Sequence, residues 1–135
     1  MIGSLIFIPN MKNLKFKGFF MEIIEKPWGK EEIIEINSRY MMKKLTMRKG
    51  HRCSLQYHKV KRETIYVLQG QMLISYGESQ ENIVSRVFGA GETITLTPGI
   101  VHRMEAIEDS VYLEASTPEM DDVIRLVDDY KRDSK

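Results

Sequence analysis

The sequence predicts an all-β barrel, and three observations carry that prediction. From residue 31 onward, short β-branched and aromatic runs are broken by Gly, Pro, Asn and Ser at intervals of roughly eight to twelve residues. A helical pattern occurs only at the end of the chain. At 135 residues with 42% apolar content, the chain is the size of one domain and can bury a core of its own.

The runs, in order, are EEIIEI, YMMKKLTM, CSLQYH, ETIYVLQGQMLISYG, NIVSRVF, ETITLT, VHRMEAI and VYLEAS. So many short strands suit a closed or two-sheet barrel such as a jelly roll, because that topology removes or protects the sheet edges. After them, TPEMDDVIRLVDDYKR predicts a short C-terminal helix. Thr117 is placed to cap it, Pro118 stands at its first position, and Val123, Ile124, Val127 and Tyr130 share one face. Residues 21–135 are read as the barrel domain. Residues 1–20 mix Lys and Phe irregularly and are read as an N-terminal extension, either upstream of a true start at Met21 or supplying LIFIPN as an edge strand.

Twenty Lys+Arg against nineteen Asp+Glu leave a net charge of +1, and the charges are interspersed. Such a surface lacks the strong positive field that nucleic acid or an anionic membrane requires, so neither is expected as a partner. The longest apolar stretch near the N-terminus, LIFI, is far short of a membrane span, and no secretory leader is visible. A single cysteine, Cys53, excludes an internal disulfide framework and fits a reducing, cytoplasmic setting.

The chemically informative stretch is GHRCSLQYHKVKRETIYVLQG, residues 50–70. Side chains alternate faces along a strand, so Gln56 and His58 point the same way. After the turn-like KVKR, Glu63 heads the next strand, where a hairpin brings it beside His58. In GETITLTPGIVHR, the tight turn at Pro98 and Gly99 delivers a second histidine, His102. Two imidazoles, a carboxylate and an amide oxygen make a mixed nitrogen and oxygen donor set, suited to one divalent Zn, Mn, Fe, Co or Ni ion. His51 has the opposite parity and is expected to be exposed, and Cys53, of the same parity, is expected to be a packing residue.

The spacing G-x5-Q-x-H-x4-E-x6-G, carried by Gly50, Gln56, His58, Glu63 and Gly70, resembles the first cupin motif, and Gly99 to His102 resembles the core of the second. KPWG at 26–29, CSLQYH at 53–58, HR at 102–103 and DDVIRLVDDYKR at 121–132 are similar to the C-terminal cupin domain of type II mannose-6-phosphate isomerases, without the guanylyltransferase half that bacterial members carry. The likeness runs in order from residue 22 to 132. It implies a cupin double-stranded β-helix and a metal-dependent aldose-ketose isomerase acting on mannose 6-phosphate or a related sugar phosphate, with no nucleotide-sugar synthesis.

The chain departs from the family around the motif. Lys59, Val60, Lys61 and Arg62 replace a His-rich segment, Thr64 and Ile65 replace His-Trp, Ala106 replaces an asparagine, and Lys131 replaces the glycine of a terminal YGR. Candidate partners for a substrate phosphate are Lys61, Arg103 and Arg125, which lie beside the ligands or in the matched tail. No side chain is singled out as the base. The alternatives are a non-catalytic sugar-binding or regulatory cupin and an Fe(II)-dependent oxygenase, whose two-histidine, one-carboxylate set is similar. Tyr66 and Leu68 are expected to face outward and to support a homodimer.

Overall fold

In a computed structural model, residues 21–134 are described, and they form two antiparallel sheets. Residues 1–20, and with them the choice between an extension and an edge strand, lie outside the described residues. The strands are β1 (Glu22–Lys26), β2 (Gly29–Ile36), β3 (Met41–Met47), β4 (Leu55–Tyr57), β5 (Glu63–Gln69) and β6 (Gln71–Ser79). They continue with β7 (Asn82–Gly89), β8 (Thr93–Leu96), β9 (Val101–Ala106), β10 (Ser110–Ser116) and β11 (Ile124–Val127). One sheet has the order β1-β2-β3-β10-β5-β8 and the other β11-β4-β9-β6-β7. This is the barrel the runs predict.

Period-two alternation decides what each strand turns inward. On β3, Met41, Lys43, Leu45 and Met47 are buried while the residues between them are half-buried, and on β10 Ser110, Tyr112, Glu114 and Ser116 are buried. Register then sorts the interior along the strands. Tyr112 stands opposite Leu45 and Val67, and Glu114 stands opposite Lys43 and Ile65. One end of the interior is therefore apolar, with Met47, Val67, Met72, Phe88 and Ala106 in the main cluster. The other carries Lys43, Lys61, Glu63 and Glu114, all buried.

The KPWG motif opens β2. A Cβ at Gly29 would lie 1.8 Å from the Thr46 carbonyl oxygen, so only glycine lets β2 approach β3 this closely. That approach seats Trp28 in the core at 4% exposure.

The expected C-terminal helix is absent among the described residues. Its segment instead forms β11, which pairs antiparallel with β4 and sets Ile124 opposite Tyr57 and Arg125 opposite Gln56. Three features outweigh the helical pattern. Val123, Ile124 and Val127 are β-branched and favour a strand. The edge of β4 offers backbone groups that need partners. Two residues of the expected helix serve neighbouring loops instead: the Thr117 hydroxyl accepts the Arg62 N–H, and the Asp122 carboxylate accepts those of Lys59, Val60 and Lys61.

Candidate metal centre and adjoining cavity

His58 follows β4, Glu63 heads β5 and His102 lies on β9, and the fold brings all three together. Their ligand atoms lie within 4.8 Å of one another, and the side chains are buried. The turn between His58 and Glu63 is held by Asp122. Its carboxylate accepts three consecutive N–H groups at 3.0, 2.7 and 2.8 Å, which keeps it ionised below the ordinary aspartate range despite the cost of burial. Gln56 is the register partner of His102 across β4 and β9. Its Oε1 accepts a 2.6 Å hydrogen bond from the Ser54 hydroxyl, and the side chain lines the adjoining cavity with His58.

Both imidazoles are oriented by backbone carbonyls. His58 Nδ1 lies 2.5 Å from the Asp122 oxygen and His102 Nδ1 lies 2.9 Å from the Ile100 oxygen. A carbonyl only accepts, so each Nδ1 carries the proton, and in a neutral ring each Nε2 presents a lone pair. Those two Nε2 atoms lie 3.3 and 3.1 Å from the same Glu63 oxygen, Oε1. Three electron-rich atoms converging in a dry site repel one another unless a cation or protons lie among them. The donor set fits a borderline divalent ion, and the second ring nitrogens are already fixed by hydrogen bonds, as metal-binding histidines require.

The rest of this end is a network of paired charges. Lys61 Nζ lies 3.0 Å from Glu63 Oε2 and 3.2 Å from Glu114 Oε2. Burial opposes the ammonium charge, but the two carboxylates outweigh it and hold the lysine above its ordinary pKa. Burial also opposes ionisation of Glu63, yet with no ion bound a proton donated from His102 or His58 Nε2 to Oε1, together with the charge of Lys61, holds its carboxyl well below the usual range. Glu114 is raised, first by burial and then by the charge of Glu63. Lys43 pairs with Glu31 at 3.0 Å.

Beside this network is a cavity of about 110 Å³, which Trp28, Gln56, Lys61, Tyr112, Glu114 and Arg125 help to line. The three candidate phosphate partners differ in placement. Lys61 reaches the cavity but is shared between two carboxylates. Arg125 also lines it, and burial and the nearby Arg132 charge lower its pKa. Arg103 is turned elsewhere: its guanidinium donates to the carbonyls of Cys53 and Val127, each at 3.0 Å, and so ties β9 to β11. Of the residues read as bystanders, Cys53 is buried in the core with its thiol pushed up to about 11 by burial. His51 is half-buried rather than exposed, lies 3.2 Å from the Lys49 carbonyl, and takes no part in the cluster. Sequence reasoning missed Tyr112, Glu114 and Asp122. The inward parity of β10 was the available signal for the first two.

A family model described as mannose-6-phosphate isomerase C-terminal matches residues 17–128. The mannose-1-phosphate guanylyltransferase ManC of Salmonella typhimurium is 28% identical over 119 residues, covering 81% of this chain but 23% of that protein. The chain thus spans about a quarter of the length of this curated relative. Among solved structures, an RmlC-like cupin from Shewanella frigidimarina superposes with a TM-score of 0.66 at 19% identity, covering 76% of this chain and 93% of that one. Oxalate decarboxylase of Bacillus subtilis, described for its Mn(II) centres, gives 0.67 at 20% identity, covering 78% and 30%. With the two-sheet barrel and the ordered His, Glu and His positions, these matches establish that the chain belongs to the mannose-6-phosphate isomerase C-terminal family and has the cupin fold.

Proposed function

We propose that this chain is a metal-dependent aldose-ketose isomerase acting on a sugar phosphate, mannose 6-phosphate in the first instance, and that Gln56, His58, Glu63 and His102 hold one divalent ion. The convergence of two oriented Nε2 atoms on Glu63 Oε1 carries this reading. The family match supports the choice of substrate. Moving a carbonyl between C1 and C2 requires loss of a proton beside it and stabilisation of the charge that develops on oxygen. A bound divalent ion supplies the second as a Lewis acid. Around that ion the chain's own residues shape the site: Asp122 and Ile100 fix the ligand rings, Trp28 and Leu45 line a cavity that limits water, and Arg125, which also lines it, offers its charge to the phosphate. Lys61 serves to balance Glu63 and Glu114, and Arg103 to lock β9 against β11.

The protein works in the cytoplasm in this reading, and as a homodimer through the outward face of β5, where Tyr66 and Leu68 are each 42% exposed. Among the described residues, no helix is long and apolar enough to cross a membrane. The direct test is incubation of the metal-loaded chain with mannose 6-phosphate and assay of fructose 6-phosphate, with His58→Ala and a chelated sample as controls. Turnover that is lost in both controls is expected. No turnover at full metal occupancy would contradict the isomerase assignment and favour a sugar-binding or regulatory role.

A further inference from the structure

Two buried polar atoms, in residues that line the cavity, have hydrogen-bonding capacity left over. Among the described residues, Tyr112 Oη and Glu114 Oε2 have no hydrogen-bond partner, although Tyr112 is 0% and Glu114 4% exposed. Lys61 Nζ lies 3.2 Å from Glu114 Oε2, a contact that leaves lone pairs of the carboxylate free to accept from a ligand. The two side chains are inward neighbours on β10, two residues apart and so roughly 7 Å along the strand. Both line the cavity. A phenylalanine would fill the space of Tyr112 without burying a hydroxyl, so an orphaned hydroxyl here calls for a ligand that uses it.

We infer that Tyr112 and Glu114 form a subsite for the hydroxyl groups of a bound sugar, deep in the cavity and apart from the phosphate position. This rests on the sugar-phosphate reading of the same site. The chemistry of the wall selects the ligand class. The lysines beside the two residues already face carboxylates, Lys43 with Glu31 and Lys61 with Glu63 and Glu114, so an anionic group placed here would meet competing negative charge. A hydroxyl both donates and accepts: it can donate to Glu114 and accept from Tyr112, whose phenol burial keeps protonated. Trp28, Leu45 and Met104 supply apolar surface in the same cavity for the C–H face of a sugar ring. The sugar thus enters hydroxyls first, with its phosphate left toward Arg125.

The test uses the metal-loaded full chain and follows the fluorescence of Trp28, the single tryptophan and a cavity residue, during titration with mannose 6-phosphate and, separately, inorganic phosphate. Tyr112→Phe is expected to raise the Kd for mannose 6-phosphate about 3- to 10-fold, the range of one lost hydrogen bond. It should leave the phosphate Kd and metal affinity unchanged and the Tm no lower than wild type. Glu114→Gln should weaken the sugar phosphate in the same selective way. Unchanged Kd values in both variants, or equal weakening of inorganic phosphate, would overturn the subsite. A wild type that binds mannose 6-phosphate, loses affinity in Tyr112→Phe, yet forms no fructose 6-phosphate would sink the isomerase assignment and leave the subsite standing. Turnover with both variants binding as wild type would do the reverse. A chain that binds no mannose 6-phosphate overturns both.

Discussion

The two ends of the barrel interior are built on different physics. Met47, Val67, Met72, Phe88 and Ala106 fill one end with side chains that gain by leaving water, at about 1.5–3 kcal/mol for each large one. Lys43, Lys61, Glu63, Glu114, His58 and His102 fill the other, where each desolvated charge costs several kcal/mol and its partners return most of that cost only with good geometry. The apolar end stabilises the barrel. The charged end draws on that stability to hold a site. The contrast explains why buried charges sit on the same strands as core residues: β5 carries Glu63 two positions before Ile65, and β10 carries Tyr112 two positions before Glu114.

The largest expected effect comes from unbalancing the charged end. Lys61→Ala leaves Glu63 and Glu114 facing each other and should cost about 3–5 kcal/mol in urea unfolding, whereas replacing Lys61 and Glu114 together by methionine, which removes the repulsion but leaves Glu63 without its lysine, should recover part of that loss. Met72→Ala at the apolar end should cost about 2–5 kcal/mol through its cavity, with metal affinity unchanged. If Met72→Ala weakened metal binding as much as changes at the charged end, the two ends would not be separable.

Asp122 sharpens the comparison, because it acts on the site from outside the ligand set. Its carbonyl orients His58 and its carboxylate holds the turn that leads to Glu63. Asp122→Ala should lower affinity for Zn2+ or Co2+ about 10- to 100-fold, with the Co2+ absorption spectrum reporting altered geometry. Asp122→Asn, which keeps one acceptor oxygen, should restore part of that affinity. An unchanged spectrum and affinity would make Asp122 a loop brace only.

Much of the fold is legible in the sequence. Parity placed Gln56 and His58 on one wall, and the Pro98–Gly99 turn signalled that His102 arrives from a distant segment. The C-terminal segment reads as a helix because Val123, Ile124, Val127 and Tyr130 are spaced for one helical face, whereas the open edge of β4, which that spacing does not reveal, draws the β-branched run into a strand. The roles of Lys61, Arg103 and Asp122 could not be read from composition. A basic side chain near a motif looks the same whether it faces a cavity, bridges two carboxylates or donates to a carbonyl, and long-range partners choose among these.

Two smaller effects probe the surroundings. If the proposed homodimer forms through the outward face of β5, Tyr66→Asp should halve the mass measured by light scattering, and an unchanged mass would remove that face from the contact. Cys53, with its thiol pushed up to about 11 by burial, stays protonated at pH 8 and should react with a disulfide reagent far more slowly in the folded chain than in urea. Equal rates would show that the core around it opens readily.

The most direct measurement is titration of Zn2+ or Mn2+ into metal-free protein by calorimetry, with His102→Ala and Glu63→Gln alongside. One ion per chain, with at least about 10-fold weaker binding in each variant, is the result that follows from His58, Glu63 and His102 converging on one point. Binding that is absent in wild type, or equally strong in both variants, would contradict a metal centre here.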